Sequence, residues 1–209
     1  MTKSIVKIKR SKNELKRKQI LEAATQLFTE QGYASVSMDL IARTADVSKQ
    51  TVYSHFGSKD DLFSSAIEQK CETSQFFDLS LLESNDVKLI LLQLAQSFIC
   101  MITSKEACAV HKICVFESTS YPQISEIFYQ AGPYKVTNEV AQLMKNLHQR
   151  KLLNIEDPWH AALQFLNMMK GELWMQVEFN IKERVSEQEV NNYLAASVDF
   201  FIRGYAVNR

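Results

Sequence analysis

Five glycines, three prolines and four cysteines are few for 209 residues. So few breakers exclude a fold rich in tight turns, and no run alternates apolar and polar residues as a strand would. Cys71, Cys100, Cys108 and Cys114 lack the paired spacing of a disulfide scaffold, and a chain of this length has no need of one. Reduced thiols and a cytoplasmic protein are expected. No segment reaches the roughly 18 uninterrupted apolar residues of a membrane span, so no membrane partner is expected. The N-terminus is basic with no apolar stretch behind it, which argues against a secretory signal. Gly-x-Gly phosphate loops, zinc-protease patterns and nucleophile elbows are all missing. The expectation is a chain that is not an enzyme and holds neither cofactor nor metal.

Net charge is missing too, because 24 basic side chains balance 24 acidic ones. The balance hides an asymmetry. Residues 1–60 hold eleven of the basic groups against six of the acidic, and residues 3–18 hold eight basic groups with Glu14 as their single acid. A basic N-terminal third on an acidic remainder suits a chain that binds phosphate at one end. The length allows one large domain or two small ones.

What the sequence does have is helical periodicity, nearly throughout, so the fold class is all-α with about nine helices. A first helix opens at Ser11 with Glu14 as its capping-box partner, carries the stripe Ile20, Leu21, Ala24, Leu27 and Phe28, and ends at Gly32. Ser37 caps a second, short helix and puts Asp39 in its positive first turn. Ala45-Asp46-Val47 is a turn, and Ser48 caps a third helix whose Val52 and Phe56 face inward. Gly57 breaks that helix; Ser58 and Asp61 start a fourth through Leu62, Phe63, Ala66 and Ile67. Two short helices across a tight turn, backed by a first, form a helix-turn-helix, whose second helix enters the DNA major groove. Further helices are expected near 85–103, 105–118, 122–131, 134–150, 157–180 and 186–206, with Pro122, Pro133 and Pro158 in first turns.

With Val52 and Phe56 inside, the opposite face of the third helix presents Lys49, Gln50, Tyr53 and Ser54. Lysine and glutamine donors match guanine and adenine edges. Thr51, Tyr53 and His55 offer donors for backbone phosphates, which fix register rather than sequence. Lys59 starts the fourth helix, where free amides already favour a phosphate. Ser48 belongs to the same candidate surface, and the partner is double-stranded DNA.

Residues Lys18 to about Ile67 resemble the DNA-binding domain of the TetR (tetracycline-repressor) family of bacterial regulators. The resemblance is carried by Ile20-Leu21-Glu22-Ala23-Ala24, Leu27-Phe28, Gly32-Tyr33, Ile41-Ala42, Val47-Ser48, Thr51-Val52-Tyr53, Phe56 and Ser58-Lys59-Asp60-Asp61-Leu62. It implies phosphate contacts at Thr51, Tyr53, Lys59 and Ser37, with Lys49 and Gln50 at base edges. Asp46 stands where the family usually has glycine, and aspartate tolerates the left-handed conformation such a turn needs. The segment Cys114–Trp174, with Phe116-Glu117, Tyr121-Pro122, Phe128-Tyr129 and Ala131-Gly132-Pro133, is similar to the C-terminal domain of AcrR/AefR-type members.

The resemblance implies domains at 1–64 (basic tail and DNA-binding head) and 65–209 (ligand binding and dimerisation). The residues support this independently. Ala161, Phe165, Met168, Met169, Leu173, Trp174 and Val177 spread round most of one helix; on the last, Leu194, Val198, Phe201 and Tyr205 form one stripe and Tyr193, Ala196, Phe200 and Gly204 another. Helices apolar nearly all round must be buried nearly all round, which a four-helix dimer interface achieves. Its candidates are Ala161, Phe165, Met169, Tyr193, Ala196, Phe200 and Gly204. Pocket candidates are Phe98, Met101, His111, Val115, Phe116, Phe128, Tyr134, Phe165, Met168 and Trp174, the adaptable walls of a site for an apolar small-molecule effector. Cys108 and Cys114 each lie one turn from His111, a spacing open to a metal or thiol sensor. The three side chains fan across a wide arc with no obvious fourth ligand, however, and small buried hydrophobes around a hydrogen-bonded histidine are the commoner arrangement. The expectation is a ligand-responsive homodimeric repressor on a near-palindromic operator. Its alternative is a DNA-bound protein of the same fold that acts through a protein partner.

Overall fold

A computed structural model describes residues 2–70, 84–183 and 186–207, with side chains from residue 13 onward, Lys70 excepted; Cys71 lies outside this range. All regular structure among the described residues is helical: α1 (Thr2–Ser35), α2 (Met38–Thr44), α3 (Lys49–Phe56), α4 (Lys59–Lys70), α5 (Val87–Ile102), α6 (Lys105–Glu117), α7 (Pro122–Tyr129), α8 (Lys135–Gln149), α9 (Pro158–Glu178) and α10 (Glu187–Gly204). From α5 on, each helix ends within two residues of its expected bounds. Two local expectations fail. Ser11 opens nothing, because no glycine or proline stands between Thr2 and Gln31 to interrupt α1. Pro133 does not sit in a first α-turn but inside a π turn, Gln130–Tyr134, that leads from α7 into α8.

Contacts divide the chain into two compact units, Met1–Lys70 with Ala109–Ala131, and Cys71–Cys108 with Gly132–Arg209. That grouping differs from a cut at residue 64, since α7 and most of α6 join the head.

In the first unit Ile20, Leu21, Ala24, Leu27 and Phe28 turn α1's apolar stripe inward. Phe28 and Tyr33 stack at 5.9 Å, and Phe63 meets both edge to face at 5.1 and 5.2 Å, so α1 and α4 are joined through rings. Ser37 and Ser48 cap α2 and α3 as their positions require, accepting from Leu40 N–H and Thr51 N–H. Asp46 takes the left-handed turn at φ 52°.

The second unit is built on α5, α8, α9 and α10 around Leu91, Met144, Leu147, Phe165 and Phe201. α9 and α10 run antiparallel, since Tyr205 Oη, just past α10, donates to Gln164 Oε1 in the first half of α9, and Tyr193 Oη, earlier on α10, to the Met168 carbonyl at the middle of α9. Phe165 and Phe201 meet edge to face at 5.1 Å. α9 is bent at Gly171, where φ is 48° and ψ −155°, and Tyr193 fills the space a side chain there would need. Among the described residues no single helix is long and apolar enough to cross a membrane.

Candidate nucleic-acid interface

α3, the expected reading helix, is eight residues long, too short to hold itself, so its geometry is set at both ends and from behind. Ser48 Oγ accepts from Thr51 N–H at 3.1 Å and lies 2.7 Å from the Thr51 hydroxyl. Val52 and Phe56 are buried, at 0% and 6% exposure, and pin the inner face. The Arg17 guanidinium closes over the Phe56 ring at 4.8 Å, a tie from α1 that the sequence pattern did not disclose.

The expected reading face is assembled, though not every member is available. Gln50, Tyr53 and Ser54 are exposed, and Thr51 and His55 half-buried. Ser54 Oγ donates to the Thr51 carbonyl, a local bond that water or phosphate can replace. Lys49 carries its own counter-ion: its ammonium is 2.9 Å from Asp39 on α2, and the hydrogen bond to that carboxylate raises its pKa. Both groups are more than half exposed, so the pair costs little to open.

Lys59 differs most from expectation. Its ammonium donates to the carbonyls of Tyr33 and Val36, each at 3.0 Å, and lies 3.9 Å from the centre of the Tyr33 ring. Burial pushes its pKa down. Lys59 thus caps the end of α1 and the approach to α2, with at most one donor left for a phosphate. Beneath it the Tyr33 hydroxyl is bonded to Asp60, and burial followed by that carboxylate raises the phenol's pKa. Ser37 is exposed at the start of α2 with its hydroxyl engaged in capping.

A basic head, a capped and backed reading helix and a helical remainder agree with what the chain is similar to. Residues 20–66 match the model of bacterial regulatory proteins of the tetR family, and residues 90–207 that of the AefR-like transcriptional repressor C-terminal domain. The chain belongs to the TetR family. It is a transcriptional regulator with a DNA-binding domain, and not an enzyme. Along its length it is similar to a TetR-family regulator from Mesorhizobium loti MAFF303099, with 29% identity, 93% of this chain and 98% of that one covered, and a TM-score of 0.78. The flavonoid-responsive regulator FrrA is 32% identical, with 91% and 97% covered and a TM-score of 0.70. The regulator YhgD of Bacillus subtilis (strain 168) is 50% identical over 48 residues, 23% of this chain and 25% of that one. HbdR of Aromatoleum sp. (strain CIB) is 43% identical over 60 residues, 29% of this chain and 26% of that one. The chain therefore spans about a quarter of these curated relatives' length.

The TetR architecture helps to sort the remaining candidates. Of the expected pocket walls, Phe98 and Phe165 are closed into the second unit's core at 7% and 0% exposure, while Met101, Met168 and Trp174 are half-buried at its edge. Tyr134 is largely exposed and packs on Trp159 at 5.5 Å. His111 and Phe128 pair within the first unit, 5.8 Å apart. Val115 and Phe116 must be withdrawn as interior walls: they are 61% and 88% exposed. α6 turns Cys114 inward, so the next two residues rotate to the outside.

Three dimer candidates are corrected as well. Ala161, Phe165 and Met169 are fully buried in their own protomer and form α9's inward face. Tyr193 is half-buried and bonded to Met168. Ala196, Phe200 and Gly204 remain exposed along α10.

Cys108 and Cys114 are buried and Cys100 is exposed. Cys108 Sγ points at the Ile102 carbonyl at 3.4 Å, and burial, with Glu117 second, pushes the Cys114 thiol up to about 12. Among the described residues no His/Cys/Asp/Glu group could hold a metal. Thiol chemistry should follow burial. In a Cys71→Ser background, Cys100 is expected to react with a disulfide reagent at pH 8 at least roughly 100-fold faster than Cys108 or Cys114 in the folded chain. Equal rates at Cys100 and Cys114 would contradict the inert reading.

Proposed function

We propose that this TetR-family regulator is a homodimeric repressor that two copies of α3 hold on a near-palindromic operator, and that a small, largely apolar effector releases. The observation that carries the reading is α3 itself: capped by Ser48, backed by Val52 and Phe56, and presenting Gln50 and Tyr53 outward. Two such helices about 34 Å apart would enter successive major grooves. Exposed apolar residues supply a surface for the second copy, with Ala196, Phe200 and Gly204 along α10 and Met175 and Phe179 on and just beyond α9. Repression is supported by the AefR-like repressor domain matched over residues 90–207. An effector with an apolar aromatic body is supported by the likeness to a regulator named as flavonoid-responsive. Release is a population shift, in which the effector prefers the state whose half-site spacing is wrong for DNA. A cytoplasmic location follows from this role.

On a duplex selected from a random pool, Gln50→Ala is expected to lose about 1–3 kcal/mol of discrimination at one base pair and to keep the rest of the profile. Tyr53→Phe should instead weaken all sequences alike. An unchanged profile for Gln50→Ala would show that another face of α3 reads the bases.

A further inference from the structure

We infer that Glu117, the last residue of α6, is a positioning residue for DNA reading: its carboxylate anchors the hinge between α1 and α2 from which the helix-turn-helix is presented. The inference rests on α3 being the reading helix.

α1 is kinked at Gly32, where φ is 80°, and four residues on comes Val36, followed by Ser37, the cap of α2. A break of this kind frees backbone groups that need partners. On one side Lys59 takes the carbonyls of Tyr33 and Val36. On the other, Glu117 Oε2 accepts from Ala34 N–H at 3.0 Å across 83 residues of chain. The other carboxylate oxygen, Oε1, lies against Gly32 so closely that a β-carbon there would stand 2.6 Å from it. Gly32 is favoured by its backbone angle, and a β-carbon there would displace the Glu117 carboxylate from its place beside the hinge.

The anchor does not stand alone. The Tyr121 ring, just past α6, packs on the Tyr33 ring at 5.9 Å, and Tyr33 in turn meets Phe28 and Phe63. The Glu117 charge bears on the hinge as well: it adds slightly to the rise in the Tyr33 pKa caused by burial and Asp60, and with Asp60 it opposes the burial that lowers that of Lys59. All of these residues belong to the first compact unit. Because a hydrogen bond from a backbone amide to a charged acceptor is stronger than a neutral one and, unlike a packing contact, directional, it fixes the hinge's position rather than merely covering it.

The test has two arms. Hydrogen exchange of the Ala34 amide, without DNA, should quicken roughly tenfold or more in Glu117→Ala and much less in Glu117→Gln, which keeps an acceptor. Affinity for the selected duplex should fall about tenfold in Glu117→Ala, with the base profile and salt slope unchanged, since neither a base contact nor a phosphate contact is lost. Glu117→Gln should recover most of it. The proposal is overturned if Ala34 exchange and duplex affinity both match the parent. It is also overturned if Glu117→Ala changes the base profile or the salt slope, or if Glu117→Gln is as weak as Glu117→Ala. If the parent enriches no duplex at all, the regulator reading fails while the exchange arm still judges the anchor.

Discussion

Gly171→Ala should lower the stability of the second unit by about 3 kcal/mol or more, enough to drop its melting temperature by roughly 6–12 °C. Two independent effects add. At φ 48° and ψ −155° the backbone is in a region that residues with a β-carbon rarely enter. The new carbon would also stand 2.3 Å from Tyr193 Oη and 2.4 Å from Cζ, so the tyrosine must move. If it moves, it gives up its bond to the Met168 carbonyl at 2.6 Å. A double-mutant cycle separates the two effects. Tyr193→Ala removes the obstacle but not the backbone cost, so the double variant should be less damaged than the sum of the singles by about 1 kcal/mol or more. Thermal unfolding of the four proteins reads this directly. Strict additivity would mean that the helix-to-helix approach is not what Gly171 secures.

Lys59→Met comes second in expected size, and it decides between two roles. A lysine that only grips a phosphate can be lost without harm to the free protein, while the salt dependence of DNA binding falls by close to one contact. Lys59 is placed otherwise, on two carbonyls and an aromatic face at the end of α1. Its loss should cost the head about 2 kcal/mol in the absence of DNA, a value reduced for its partial exposure. DNA affinity should fall about tenfold, because α2 and α3 are presented from a looser hinge. Unaltered unfolding together with a full unit's drop in the salt slope would restore the phosphate role alone.

These two residues also show where the sequence is legible. The caps at Ser37 and Ser48, the left-handed turn at Asp46 and the break at Gly57 depend on neighbours within four positions, and each is found where the pattern put it. Charge partners are another matter. Lys49 meets Asp39 ten residues away, Lys59 meets carbonyls 23 and 26 residues away, and Glu117 meets Ala34 across 83. No local rule reaches so far.

The α9 dimer candidates Ala161, Phe165 and Met169 failed for a related reason. On α9 apolar residues occupy several faces, and periodicity states that a face is apolar without stating what covers it. Phe201 on α10 covers Phe165, so the α9 stripe is spent inside the protomer, whereas Phe200, one position before it, is 62% exposed. Val115 and Phe116 misled because an apolar or aromatic side chain reads as a pocket wall wherever it stands on a helix; only the rotation of α6 sets them outside.

Selection of duplexes by the unmodified protein from a random pool tests the central claim most directly. The account predicts enrichment of a near-palindrome, two half-sites about one helical turn apart, bound by two chains. Enrichment of no sequence, or of a single half-site bound by one chain, would contradict it.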